Sequence, residues 1–368
     1  MRLRSCDISE FIRRAHGREV VCWGAGFCLS FLSEKYKSGI ENTFSYVVDS
    51  NSEIQGTKIM VCNREFEIKP PCHLFENIND NTIILISVRD CNPIYSILEE
   101  KFKQANNECY TVPLINMYEL DKIFYSVEPI PIEWRMNSNP QIPKVIHYCW
   151  FGGTPLPDKF KSYIDSWYKY CPDYEIIQWD ESNYDINSHK YMREITRGAK
   201  HPGRAANYAR LDIVYNHGGV YLDVDVELLR NIDELLYCSA FCGFHGHEYI
   251  NFGSGFGAKK NHSMIKAMLD AHDDPELLDN MSKYTTSPAY ETKVMIRYGL
   301  QLGGQFQVVN DMAVYPSIYF EPLSIRTGKF FGTPDSYSIH HYAATWFPDE
   351  EMERKDFDKK LLTAVRDD

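Results

Sequence analysis

Short apolar runs separated by amphipathic stretches organise this chain. From Glu19 the order is a strand-like EVVCW, a glycine turn GAG and a helical stretch FCLSFLSEKY. TFSYVVDS, a short pair around TKIMV, the apolar run TIILISV, a helix starting at Pro93 and the run CYTVPL follow. This alternation predicts a small parallel sheet flanked by helices. The next stretch, SVEPIPIEWRMNSNPQIPK, places four prolines among polar residues and reads as a linker. KVIHYCW then opens a second α/β unit, and the closing DEEMERKDFDKKLLTAVRDD reads as a charged helix or frayed tail. The expected organisation is a small Rossmann-like α/β domain over residues 1–124, a linker over 125–141, a second α/β domain over 142–350 and a tail over 351–368.

One pattern in the second half demands an explanation. In GGVYLDVDVEL, residues 218–228, Val220, Leu222, Val224, Val226 and Leu228 alternate with Tyr221, Asp223, Asp225 and Glu227. That is the period of a half-buried strand with an acidic second face. Side chains two apart on a strand lie about 7 Å apart, and like charges at that distance repel by about 2 kcal/mol at an effective dielectric near 20. A bound cation or a catalytic role accounts for such a face; an exposed strand end is the plain alternative. The preceding RAANYARLDIVYNHGG reads as a helix from about Arg204 to Asn216 closed by Gly218 or Gly219. Its Asn207, Arg210, Leu211 and Val214 share one face, which directs an amide and a guanidinium toward the acidic strand or sets up a structural ion pair between Arg210 and Asp223. A second Asp-x-Asp, Asp356 and Asp358 in KDFDKK, lies among lysines without alternation and reads as solvated surface.

Composition narrows the function classes. The 368 residues are 44% hydrophobic and 24% charged, with a formal net charge of −12. That acidity argues against nucleic acid or a polybasic membrane anchor as the main partner. The eleven cysteines form neither a CxxC pair nor a regular framework, and Cys238 with Cys242 is a poor zinc motif, so reduced thiols are expected. The apolar run in MRLRSCDISEFIRRAHG is too short for a signal peptide, and no segment reaches eighteen apolar residues. The expected location is the cytoplasm, with at most a peripheral contact at the inner face of the membrane.

In the first half, GAGFCL after a strand suggests a nucleotide-binding turn through Gly24 and Gly26, with Asp49 as the ribose-binding acid. The fingerprint is incomplete, since Leu29 stands where its third glycine belongs. A tight strand-to-helix turn explains the same residues.

Four ordered motifs, IPKVIHYCWFGG, SWYKYCPDYEIIQWDE, AANYARLDIVYNHGGVYLDVDVEL and SIHHYAATW, resemble glycosyltransferase family 32, the DxD group that includes yeast mannosyltransferases and bacterial capsule or lipopolysaccharide enzymes. They are also similar to the glucosyltransferase domains of clostridial toxins. The resemblance covers roughly residues 142–347 and implies a GT-A fold, a nucleotide-sugar donor, Mn2+ or Mg2+, and transfer with retention. By the same resemblance, His147 and Trp150 would bind the donor, Trp150 by stacking on the base. Asn207, Arg210 and Tyr221 would join them, Asp223 would hold ribose and sugar, and Asp225 would ligate the metal. Asp223, Asp225 and Arg210 would carry the catalysis. His340, ahead of His341, would add an imidazole ligand favouring manganese, while Thr345 and Trp346 would bond the β-phosphate.

Where the family commonly has Ser-Asp, this chain has Ala206-Asn207, which changes donor preference or lowers activity. NFGSGFGAKKNHS and TSPAYETKV are expected as exposed loops on the acceptor side. The implied function is a metal-dependent hexosyltransferase, with a UDP-hexose as the expected donor and a surface glycan, soluble or lipid-linked, as the acceptor. The rival readings are a noncatalytic nucleotide-sugar sensor and a dehydrogenase using NAD at the first-half turn. A calcium loop at DVDVE fails for want of the EF-hand glycine.

Overall fold

The computed structural model describes residues 1–126, 130, 137–196, 203–273 and 287–343. The proposed tail, together with Thr345 and Trp346, lies outside the described residues. Among the described residues, chain packing defines two units: Met1–Ile123 with Ile325–Lys329, and Phe124–Ser324 with residues 330–343. Residues 325–329, expected in the second domain, therefore pack with the first. Thr327 donates to the buried Asp121 at 2.5 Å, a bond that local sequence patterning does not reveal.

The first unit is a mixed α/β layer. Its strands are β1 (Arg2–Leu3), β2 (Glu19–Trp23), β3 (Phe44–Val48), β4 (Lys58–Val61), β5 (Arg64–Lys69), β6 (Thr82–Ile86) and β7 (Glu108–Thr111), in the order β1-β7-β6-β2-β3-β5-β4. Every pairing is parallel except β4 with β5. The central strands are buried on both faces, which is why EVVCW and TIILI are continuous rather than alternating runs. The sequence ending CYTVPL continues into a helix at Val112–Phe124 that its short apolar run did not signal.

The second unit holds a mixed sheet. Strands β8 (Val145–Cys149), β9 (Glu175–Trp179), β10 (Gly219–Tyr221), β11 (Val226–Leu228), β12 (Ala240–His245), β13 (Tyr249–Ile250), β14 (Phe256–Ala258), β15 (Gln307–Val309), β16 (Met312–Tyr315) and β17 (Ser338–His340) contribute. The main order is β15-β16-β12-β14-β10-β8-β9, with β13 on β12, while β11 and β17 form a separate antiparallel pair. Helix Gly203–His217 ends where Gly218 turns left-handed (φ 69°) and returns its N–H to Val214. Gly219 follows at φ 112°, where a Cβ would meet His147 Nε2 at 2.8 Å; only glycine lets the helix turn straight into β10.

The acidic stretch is not one continuous strand. Pairing in β10 stops at Tyr221, Leu222–Asp225 turn, and pairing resumes at Val226 in the other sheet. The turn closes with Val226 N–H donating to Asp223 O at 3.0 Å. The two aspartates thus meet through a turn at the carboxyl end of β10 rather than along a strand face.

Candidate active site

Three side chains converge at that turn. One ligand atom from each of Asp223, Asp225 and His340 lies within 4.8 Å of the others. β11 and β17 bring them together, because their register sets Val226 opposite His340. His340 Nε2 lies 3.3 Å from Asp225 Oδ1. The other oxygen, Asp225 Oδ2, accepts from Ala343 N–H at 2.8 Å, and the Asp225 carbonyl accepts from His341 N–H at 2.9 Å. The segment 340–343 is therefore stitched onto the turn by main chain and side chain together.

The carboxylates here draw positive charge toward them. Burial alone would raise the Asp225 carboxyl, but His340 and the Ala343 N–H hold it down to about 2. Burial opposes charge on His340, yet Asp225 and then Glu321 push the imidazole up to about 9. Asp223 moves upward through burial, with Arg210 opposing and Asp225 reinforcing the shift. Two carboxylates and an imidazole form a donor set suited to Mn2+ or Mg2+. The buried His340 Nδ1 makes no hydrogen bond, leaving a ring nitrogen whose polar demand the surrounding protein does not meet.

Arg210 is only 1% exposed and sits behind Asp223 rather than facing a donor. Its Nη2 bonds to Glu291, and its Nη1 lies 3.7 Å from Asp223 Oδ2. Glu291 in turn accepts from Phe252 N–H at 2.9 Å. Arg210, expected to touch the donor, is thus placed against Asp223 and Glu291.

Two further residues expected to bind the donor, His147 and Tyr221, are also buried. His147 is buried, its Nδ1 accepting from Trp179 Nε1 at 3.1 Å and its Nε2 donating to Gly218 O at 2.8 Å. Burial pushes it down to about 4, and it braces the β8–β10 junction. Tyr221 is also buried and bonds through its phenol to Asp223. Trp150, by contrast, is half-buried at the carboxyl end of β8, adjacent and parallel to β10, with Nε1 donating to Thr154 O at 2.7 Å. Asn207 is half-buried on the helix one turn before Arg210.

The remaining predicted residues separate. His341 Nε2 lies 2.9 Å from Glu227 Oε2 and its ring stacks on Tyr163, so Glu227 is not a free surface charge. NFGSG is a buried loop, not an exposed one: Gly253 O accepts from Asp223 N–H, and a Cβ on Gly253 would come within 2.5 Å of Asp223 Oδ2. Within TSPAYETKV, residues from Ser287 form helix Ser287–Arg297, which carries Glu291 inward. In the first unit, Gly24 has φ 118° and Gly26 precedes helix Phe27–Lys35. Asp49 bonds the turn itself, Oδ2 accepting from Ala25 N–H at 2.7 Å and Oδ1 from Asn51 N–H at 2.8 Å.

Glu291, Glu321 and Asn251 join the site without having been anticipated. The signal for Glu291 was an acidic residue among apolar neighbours in a segment whose Pro288 suits the first turn of a helix. All cysteines are free thiols. No described helix is long and apolar enough to cross a membrane.

Residues 157–241 match the family model described as the glycosyltransferase sugar-binding region containing the DXD motif. Inositol phosphoceramide mannosyltransferase 3 of Schizosaccharomyces pombe is 34% identical over 108 residues, 28% of this chain and 30% of that protein. A mannosyl phosphorylinositol ceramide synthase of Saccharomyces cerevisiae is 32% identical over 103 residues, 27% of each chain. An uncharacterized glycosyltransferase of Acanthamoeba polyphaga mimivirus is 24% identical over 239 residues, 61% of this chain and 91% of that one. Among solved structures, the PaToxG glycosyltransferase superposes with TM-score 0.32 and 18% identity over 43% of this chain and 70% of its own. The chain thus spans about 30% of the first of these curated relatives, and what it shares with the two yeast proteins is a segment of about a hundred residues.

Proposed function

We propose that the second unit is a divalent-metal-dependent glycosyltransferase that moves a hexosyl group, with retention, from a nucleotide sugar to a glycan or lipid-linked glycan. The observation that carries this reading is the convergence of Asp223, Asp225 and His340 within 4.8 Å, at the carboxyl end of a sheet strand. Two of these residues belong to the segment matching the DXD sugar-binding region. A divalent ion held there supplies charge neutralisation for the departing nucleoside diphosphate.

The chain's own groups do the rest. Asp225 and His340 form the buried ligand pair, fixed by Ala343 N–H and the β11–β17 register. Asp223, with its side chain 31% exposed, is the most accessible of the three and meets donor hydroxyls. Arg210 and Tyr221 hold its carboxylate from behind. Trp150 stacks on the base from the neighbouring strand end. The acceptor hydroxyl attacks from the face that the diphosphate leaves.

For the donor, the mannosyltransferase names of the yeast relatives are the reason to try GDP-mannose beside the expected UDP-hexoses, and capsule or lipopolysaccharide intermediates at the inner face of a membrane are the acceptors to try. A thermal-shift panel of UDP-glucose, UDP-galactose, their N-acetyl forms and GDP-mannose, with and without Mn2+, tests the reading. One donor should raise the melting temperature only with Mn2+ and should be slowly hydrolysed. Asp225→Asn should cut that hydrolysis by about 100-fold or more. Indifference to every donor, or full turnover by the variant, would falsify the assignment.

A further inference from the structure

Behind the three converging side chains lies a second carboxylate hub. Glu321 is 1% exposed and sits at the end of the short helical turn Ser317–Tyr319. Its Oε2 accepts from His245 Nδ1 at 2.5 Å and from the Tyr342 hydroxyl at 3.0 Å. Its Oε1 accepts from Asn251 Nδ2 at 2.5 Å and lies 3.7 Å from His340 Nδ1. His340 therefore lies between two carboxylates, Asp225 at 3.3 Å from Nε2 and Glu321 at 3.7 Å from Nδ1, the latter an electrostatic contact rather than a hydrogen bond.

We propose that Glu321 is a positioning residue for the metal site, aiming His340 through its Nδ1 side and tying the two walls of the site to one anchor. The inference rests on the metal-dependent reading above. A carboxylate beside the distal nitrogen of an imidazole fixes its tautomer and orientation and strengthens the other nitrogen as an electron-pair donor. Here the same carboxylate grips Tyr342, two residues beyond His340, in a segment where Tyr342 adopts φ 47°. Through Asn251 it reaches the other wall, because Asn251 Oδ1 accepts from Gly253 N–H at 2.9 Å and Gly253 O accepts from Asp223 N–H at 3.2 Å. A single buried group therefore links the His340 segment to the loop beneath Asp223.

The test is Mn2+ binding, followed by the loss of the free-ion paramagnetic resonance signal on titration, in wild type, Glu321→Gln, Glu321→Ala, His340→Ala and the double variant Glu321→Gln/His340→Ala. Melting temperatures are measured alongside. Glu321→Gln keeps the volume and the bond from Asn251 but takes the acceptor from His245 Nδ1 and the Tyr342 hydroxyl, so it should stay folded with a lowered melting temperature while binding Mn2+ roughly 10- to 100-fold more weakly. The double variant should bind no more weakly than His340→Ala alone, because Glu321 acts through that ring. Wild-type affinity in Glu321→Gln, or losses that simply add in the double variant, overturns the inference while leaving the metal reading intact. Absence of Mn2+ binding by the wild type overturns the metal reading and this inference with it.

Discussion

At the scale of single residues, the site is controlled by atoms that never meet a substrate. Gly253 shows this most directly. An added methyl there would lie 2.5 Å from Asp223 Oδ2, 3.0 Å from Asn251 Oδ1 and 3.2 Å from Arg210 Nη1. The side chain best able to yield is Asp223, since Arg210 and Asn251 are buried and the aspartate is partly open. Gly253→Ala should therefore swing the carboxylate away, lowering turnover on the order of 10- to 100-fold with little change in melting temperature. Donor hydrolysis and thermal melts measured on the same preparation would check this; an unfolded variant or unchanged turnover would contradict it. None of this was legible from the NFGSG motif, whose glycines suggested an exposed loop. What the glycine provides is room for the neighbouring carboxylate, and that room exists only after folding.

At the scale of elements, two helices and a turn make the rear wall. Helix Gly203–His217 supplies Arg210, and helix Ser287–Arg297 supplies Glu291. The pair is fully buried, so removing one partner strands a charge. Arg210→Ala should destabilise the second unit by about 3–5 kcal/mol. Replacing both partners by apolar side chains, as in Arg210→Met with Glu291→Leu, should recover most of that stability but not activity, because Asp223 would lose its guanidinium. Denaturant titrations with parallel hydrolysis assays separate the two effects; joint recovery of stability and activity would show that Arg210 has no positioning role. The first helix was readable, because its apolar period and the paired glycines after it are local signals. The break inside GGVYLDVDVEL was not. Valine alternation continues across the turn, yet the chain leaves one sheet after Tyr221 and joins another at Val226, a change dictated by pairing with Ser338–His340 more than a hundred residues away. The aspartates and His340 were recognisable by motif, whereas Glu291 and Glu321 arrive through tertiary packing that no local period encodes.

At the scale of the whole molecule, the second unit carries an acid sensitivity built into its core. His147 and His272 are both buried and are both pushed down to about 4 by burial. His147 holds the helix-to-strand junction through Gly218 O, and His272 Nδ1 lies 2.9 Å from Met268 O and 2.7 Å from the Tyr290 hydroxyl. Between their ordinary pKa near 6.5 and the folded value near 4, the unfolded chain takes up protons that the folded unit refuses. The contribution of these two histidines is thus fully present above pH 6.5 and declines as pH falls toward 4, by about 3 kcal/mol for each on an order-of-magnitude basis, whereas His340, pushed up to about 9, has the opposite sign: its contribution is full below pH 6.5 and is lost as pH rises toward 9. Asp225 and Glu321, held at about 2, add their losses only at still lower pH, below the ordinary carboxylate range. Calorimetric melts at pH 6.5, 5.5 and 4 should show the transition of the second unit falling progressively, by roughly 10 °C or more at pH 4. His272→Gln should melt lower at neutral pH but show a shallower fall on acidification, since one of the two proton-refusing groups is gone. A melting temperature that stays level from pH 6.5 to 4 would mean that these imidazoles reach solvent or are already charged in the fold, and would remove them from the core network described above.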